Sequence, residues 1–102
     1  MTDYQVVISI EAQDDLERLY NFLYDIQPNT AARALKAIEK SYLVLERHPH
    51  TCRKASQTGL SAATRELVIT FGSSGYVDLF EITDASTVTV LAVRHQRESD
   101  YH

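Results

Sequence analysis

Arg65-Glu66-Leu67-Val68-Ile69-Thr70-Phe71, then Gly72-Ser73-Ser74-Gly75, then Tyr76-Val77-Asp78-Leu79-Phe80-Glu81-Ile82 is the stretch that decides the fold. Leu67, Ile69 and Phe71 alternate onto one side of an extended chain. The Gly/Ser cluster is a turn, and the run after it is rich in β-branched and aromatic residues. A second turn, Thr83-Asp84-Ala85-Ser86, leads into Thr87-Val88-Thr89-Val90-Leu91-Ala92-Val93. Three consecutive strands joined by short turns make an antiparallel meander, and its apolar face needs a cover.

Working outward, Tyr4 to Ile10 is a β-branched run that predicts a first strand. From Glu11 the period changes: Ala12, Leu16, Leu19, Tyr20, Leu23 and Ile26 recur at helical steps, with Asp14, Asp15 and Glu17 near the positive end of the helix. Pro28 stops this helix, and Asn29 or Thr30 can cap a second one with the stripe Ala31, Ala34 or Leu35, Ile38, Tyr42 and Leu45. Arg47-His48-Pro49-His50 ends it. Residues 51–62 are polar and read as a loop. The expected fold is α+β in the order β-α-α-β-β-β, a helical hairpin packed on a small, mainly antiparallel sheet, with residues 1–102 forming a single domain.

Composition narrows the function classes. A hydrophobic fraction of 44% and a charged fraction of 24% are those of an ordinary globular domain. Fourteen acidic against ten basic residues give a formal net charge of −4, so the overall field does not attract polyanions, and any nucleic-acid contact needs a local basic patch. The single cysteine, Cys52, cannot form an internal disulfide, and Met1-Thr2-Asp3-Tyr4-Gln5 lacks the basic and long apolar regions of a signal peptide, so a cytoplasmic protein is expected. No stretch has the length and apolarity of a bilayer span, and no membrane partner is expected. His48, His50 and Cys52 lie close together but lack the paired spacing of a zinc site; no metal and no cofactor is expected.

The order of elements, taken with particular residues, resembles the RelE/ParE family of bacterial toxins from type II toxin–antitoxin operons. The resemblance rests on Ala12-Gln13-Asp14-Asp15-Leu16, Leu45-Glu46-Arg47-His48-Pro49, Arg65-Glu66-Leu67, Gly75-Tyr76-Val77, and Ala92-Val93-Arg94-His95-Gln96-Arg97-Glu98 followed by Tyr101. It spans nearly the whole chain. It implies a small toxin neutralised by a cognate antitoxin encoded by an adjacent gene, with operator DNA bound only through that antitoxin.

Two branches divide the family: ribosome-dependent messenger-RNA endonucleases of the RelE type and DNA gyrase inhibitors of the ParE type. RelE-type cleavage needs clustered cations to stabilise developing phosphate charge, together with a proton carrier. Carried over by resemblance, the two strand lysines of that site fall near Val68 and Thr70, the arginine after the Gly-Tyr pair at Val77, and the late arginine at His95. Tyr101 is retained, and Arg97 supplies a neighbouring cation. A site so depleted favours the ParE-like reading, a gyrase poison that acts by binding and is not an enzyme. On that reading Arg65, Arg94, Arg97 and Tyr101 are the target- or antitoxin-binding candidates, since Arg and Tyr dominate interface hot spots. On the nuclease alternative, with ribosome and messenger RNA as partners, His95, Arg97 and Tyr101 are catalytic. A degenerate, non-toxic homologue is the third reading.

Structural roles compete for the same residues. Arg65-Glu66 reads equally as a strand-entry charge pair, and Glu98 with Arg94 or Arg97 as a surface pair worth under about 1 kcal/mol. Tyr20, Tyr24 and Tyr42, at helical spacing, read as core or interhelix packing. Arg47, His48, His50, Arg53 and Lys54 read as a solvated basic surface.

Overall fold

In the computed structural model, which describes residues 3–55 and 62–96, the chain folds as β1 (Gln5–Ile8), α1 (Ile10–Ile26), α2 (Pro28–Arg47), a 3-10 turn (Pro49–Thr51), β2 (Arg53–Lys54), β3 (Arg65–Phe71), β4 (Ser74–Asp84) and β5 (Thr87–His95). The expected α+β fold is observed, with one strand more than expected. The sheet order is β1-β5-β4-β3-β2; β1 runs parallel to β5, and every other neighbour is antiparallel. Both helices pack on one face of the sheet.

The first strand is shorter than its β-branched run because Ser9 caps α1. Its hydroxyl accepts the Ala12 N–H at 3.1 Å, so the helix starts at Ile10. Pro28 ends α1 by starting α2. It occupies the first helical turn, where its missing N–H costs nothing, and Gln27 alone separates the two helices. The stripe Ala31, Ala34, Ile38, Ser41 and Leu45 buries the inner side of α2, and Ala12 and Leu19 that of α1. These meet Ile69, Tyr76, Phe80, Val88, Val90 and Val93 from the sheet. Small alanines at the contact let the helices lie close to it.

The segment expected as a loop contains β2, whose Arg53 and Lys54 pair with Glu66 and Arg65. Two polar residues carry no alternation to reveal a strand. What holds them is an ion pair across the ladder between Arg53 and the nearly buried Glu66. The first meander turn is only Gly72-Ser73, with φ +63° at Gly72 alone, the II′ pattern that suits strand twist. In the second, the Asp84 carboxylate accepts the Ser86 N–H at 2.9 Å. That bond and its neighbours hold the Asp84 carboxyl below its ordinary range.

Candidate functional site

β5 reaches the candidate site through a β-bulge. Leu79 pairs with Ala92 but Phe80 with Val90, so Leu91 is an extra residue in the strand. Unbroken alternation from Val88 and Val90, both buried against the helices, would continue through Ala92 to Arg94. The bulge reverses this: Val93 and His95 take the helix side, and Ala92 and Arg94 take the outer side.

The start of α1 pins the bulge. The Ser9 N–H donates to the Val90 carbonyl at 3.0 Å, the Ser9 hydroxyl donates to the Leu91 carbonyl at 3.2 Å, and the Asp15 carboxylate accepts the Val93 N–H at 3.0 Å. Asp15 thus has a specific task beyond complementing the helix dipole. Asp15→Ala leaves the Val93 N–H without its acceptor and is expected to cost about 1–3 kcal/mol in urea unfolding. The exposed neighbour change Asp14→Ala should stay within about 0.5 kcal/mol of wild type, and equal losses at both positions would refute the pinning role.

On the helix side, the His95 Nε2 lies 2.9 Å from the Ser74 hydroxyl, and its ring meets Tyr76 edge-on at a centroid distance of 5.5 Å. Tyr76 is 3% exposed, stacks obliquely near Phe71, and lines a shallow apolar groove with Leu16, Leu19, Leu23 and Ile38 of the two helices. His95 is therefore a half-buried imidazole held by a hydroxyl and an aromatic edge.

On the outer side, Val68, Val77 and Arg94 stand in one cross-strand row, and Thr70 lies two residues farther along β3, paired with Gly75. The resemblance sets His95 with positions 68, 70 and 77; in the observed register, the β5 residue that shares their face is Arg94. Only the bulge makes it so, and a single extra residue inside an apolar run leaves little trace in a sequence.

Arg65 is elsewhere. It lies on the helix side at the start of β3, four residues before Ile69, so it is about 13 Å along the strand from the Tyr76–His95 row. Its guanidinium donates to the carbonyls of Cys52 at 2.7 Å and His50 at 3.5 Å, tying β3 to the chain leaving the 3-10 turn. Arg97 and Tyr101 fall outside the described residues. Of the expected site residues, the structure sets Arg94 and His95 at the same end of the sheet on opposite faces, and Arg65 apart from both.

The basic stretch Arg47, His48, His50, Arg53 and Lys54 is exposed. His50 Nε2 contacts the Tyr4 hydroxyl at 2.8 Å, and Cys52 is buried beneath the turn, where loss of water pushes its thiol pKa up. Among the described residues, no three His, Cys, Asp or Glu side chains converge as a metal site, and no helix is long and apolar enough to cross a membrane. Sequence reading passed over Asp78, a fully buried carboxyl bonded to Ser41 of α2. Its signal was an acid on the inward side of the run Tyr76-Val77-Asp78-Leu79-Phe80.

A helical hairpin on one face of a five-stranded sheet, with a bulged C-terminal strand carrying the cationic end, defines a small toxin of RelE/ParE architecture. The family model described as the ParE toxin of type II toxin-antitoxin system, parDE, matches residues 6–100, and the chain belongs to this family. It is 32% identical over 95 residues to Toxin RelE1 of Caulobacter vibrioides, covering 93% of this chain and 96% of that protein. A solved structure described as the chromosomal ParDE TA system from P. aeruginosa superposes with a TM-score of 0.68 at 15% identity, covering 90% of this chain and 95% of that one. That likeness is one of fold. The protein is thus a toxin of a type II toxin–antitoxin system, and membership implies a cognate antitoxin as partner.

Proposed function

We propose that this toxin acts by binding DNA gyrase and not by cutting RNA. The observation that carries this is the outer-face row Val68–Val77–Arg94, with Thr70 beside it: two valines and a threonine stand where a phosphate-cleaving surface needs cations. A lost donor to a developing oxyanion costs on the order of 3 kcal/mol, and several lost together leave little catalysis. An apolar row ending in a half-buried arginine instead suits protein binding, in which a few Arg and aromatic anchors dominate. Arg94 is the anchor, with Arg97 and Tyr101 following it in the chain. The cognate antitoxin neutralises the toxin by covering its surface, an acidic segment of it pairing with Arg94 and Arg97.

Induction without antitoxin is expected to alter plasmid supercoiling and raise DNA-damage signalling while messenger RNAs stay intact by primer extension. Arg94→Ala should weaken gyrase binding by about tenfold or more, and His95→Ala should leave growth arrest in place. The ribonuclease reading keeps one specific support, the His95 ring oriented by Ser74 and Tyr76. Codon-phased cuts that disappear in His95→Ala, with normal supercoiling, would establish that reading and overturn the proposal. Harmless expression of folded protein would indicate a degenerate homologue.

A further inference from the structure

The two edges of the sheet are finished differently. At the β1 edge, the outward main-chain groups on either side of Val6 are occupied: the Tyr4 N–H donates to the Glu46 carbonyl at 2.7 Å, and the Gln13 side-chain amide donates to the Ile8 carbonyl at 3.0 Å. The opposite edge is left open. β2 pairs only with Arg65 and Glu66, so β3 runs on from Leu67 to Phe71 with no strand beside it among the described residues. The Ala55 N–H donates to the Thr64 carbonyl at 2.9 Å, whereas Ile69 turns its carbonyl toward β4. By alternation, Val68 and Thr70 turn their N–H and C=O groups away from β4, along the edge that β2 leaves uncovered. Among the described residues these groups have no main-chain partner. Edges of natural sheets are guarded by charge, proline, a bulge or a covering element. Leu67-Val68-Ile69-Thr70-Phe71 has no charge and no proline, its pairing with β4 has no bulge, and Val68 and Thr70 are exposed.

We infer that this edge pairs with the same edge of a second copy of the chain, antiparallel across a twofold axis perpendicular to the sheet. The alternation allows only registers in which even-numbered residues oppose even-numbered ones. An axis at Thr70 runs the added strand opposite residues 68–72, past the end of β2. Each Thr70 N–H then meets the Thr70 carbonyl of the other copy, and the Gly72 N–H meets the Val68 carbonyl. Twofold symmetry makes each of these bonds twice. The side chains agree with the register. On the outer face the two Thr70 hydroxyls oppose one another, and Val68 lies over Gly72, where nothing stands within 4 Å of a Cβ. On the helix side Ile69 lies opposite Phe71. Thr–Thr and aromatic–β-branched pairs are favourable cross-strand neighbours, so the edge presents the side chains that it itself requires. An acidic segment of another protein would find no cation along this stretch to answer it. Arg94 lies two strands away on β5, so the pairing neither covers the residue assigned to gyrase nor depends on that assignment.

Amide hydrogen exchange of the full chain, read residue by residue by NMR, tests it. An interface this small belongs to the weak class, so association should rise with concentration. Between about 20 μM and about 1 mM protein, exchange at Thr70 and Gly72 should slow by about tenfold, while Ile69 and Phe71, bonded to β4, are slow throughout. Sedimentation over the same range should show the matching shift toward dimer. Thr70→Lys sets like charges against each other at the axis and should weaken self-association by about tenfold or more, as should Thr70→Glu. Mixing the two variants sets Lys against Glu and should restore the dimer. Unchanged circular dichroism identifies variants that remain folded. Exchange at Thr70 and Gly72 that does not depend on concentration, or a mixture as monomeric as its components, would overturn the inference. Protection of Thr70 that appears only on adding the cognate antitoxin would assign the edge to that partner and overturn it too.

Discussion

Gly75→Ala is expected to lower the unfolding free energy by about 3–5 kcal/mol, one of the largest losses available to a single methyl group in this chain. The cause is space and not backbone conformation, since Gly75 does not have a positive φ. A Cβ built there falls onto the carbonyl oxygen of Ile69 in the neighbouring strand. Ile69 is backbone-paired with Tyr76 and buried in the core, so its carbonyl cannot swing aside. The opposite side is also fixed, because the Gly75 carbonyl accepts the Gln96 N–H at 2.9 Å. Relief requires β3 and β4 to separate between Ser74 and Tyr76, the two residues that hold His95. Gly72 makes the contrast: its φ is +63° but nothing lies within 4 Å of a Cβ there, so Gly72→Ala should cost only about 1 kcal/mol. Urea midpoints with unchanged m-values check both. A Gly75→Ala loss no larger than that of Gly72→Ala would refute the close-approach argument.

The helical hairpin and the meander were legible because each repeats a period over many residues: Ala31, Ala34, Ile38 and Leu45 at helical steps, and Leu67, Ile69 and Phe71 at alternate positions. Features made by one or two residues were not. β2 exists because Arg53 reaches Glu66 across the ladder, a tertiary fact invisible in the dipeptide Arg53-Lys54. Tyr24 sits at core spacing with Tyr20, yet it is 50% exposed, because the two helices contact each other on a narrower stripe than the aromatic spacing suggests. The site suffered most from this limit. The sequence ends the last strand at Val93, whereas β5 runs on through Arg94 and His95, and which of these two faces the helices depends on Leu91, an added residue held by Ser9 and Asp15 from a helix begun about 80 residues earlier. Pairing across that distance is set by the fold and leaves no local pattern.

Stability should fall as pH rises from about 4 to about 7, and Asp78 is the reason. Its side chain is wholly buried between β4 and α2, and loss of water pushes its pKa from 3.8 up to about 7 against the lowering influence of the Ser41 hydroxyl. The hydrogen bonds accommodate a neutral acid. The Ser41 oxygen is within bonding distance of both the Ile38 carbonyl and the Asp78 carboxyl, but a hydroxyl has one proton to give. If Ser41 donates to Ile38, Asp78 must carry the proton and donate to Ser41. Among the described residues, the other Asp78 oxygen and the Tyr42 hydroxyl are buried without hydrogen-bond partners, so an ionised Asp78 would keep a charge in a place that solvates it poorly. Charged and titratable groups around it do little to offset this. Tyr42, held well above its ordinary range chiefly by burial and then by Asp78 itself, offers no positive charge, and Arg65 on the same face of β3 is committed to the Cys52 and His50 carbonyls. The sign follows: the unfolded chain releases this proton near pH 4 and the folded one near 7, so the native state binds more protons in that window and loses stability across it. The full difference is about 4 kcal/mol, present below pH 4 and gone above pH 7 for this group alone. Asp78→Asn keeps the shape and has no proton to lose. The variant should therefore match wild type near pH 4, exceed it by a few kcal/mol at pH 8, and show a correspondingly flatter profile between them. Urea unfolding of both proteins across that range decides the matter, and parallel profiles would show that Asp78 is ionised in the fold.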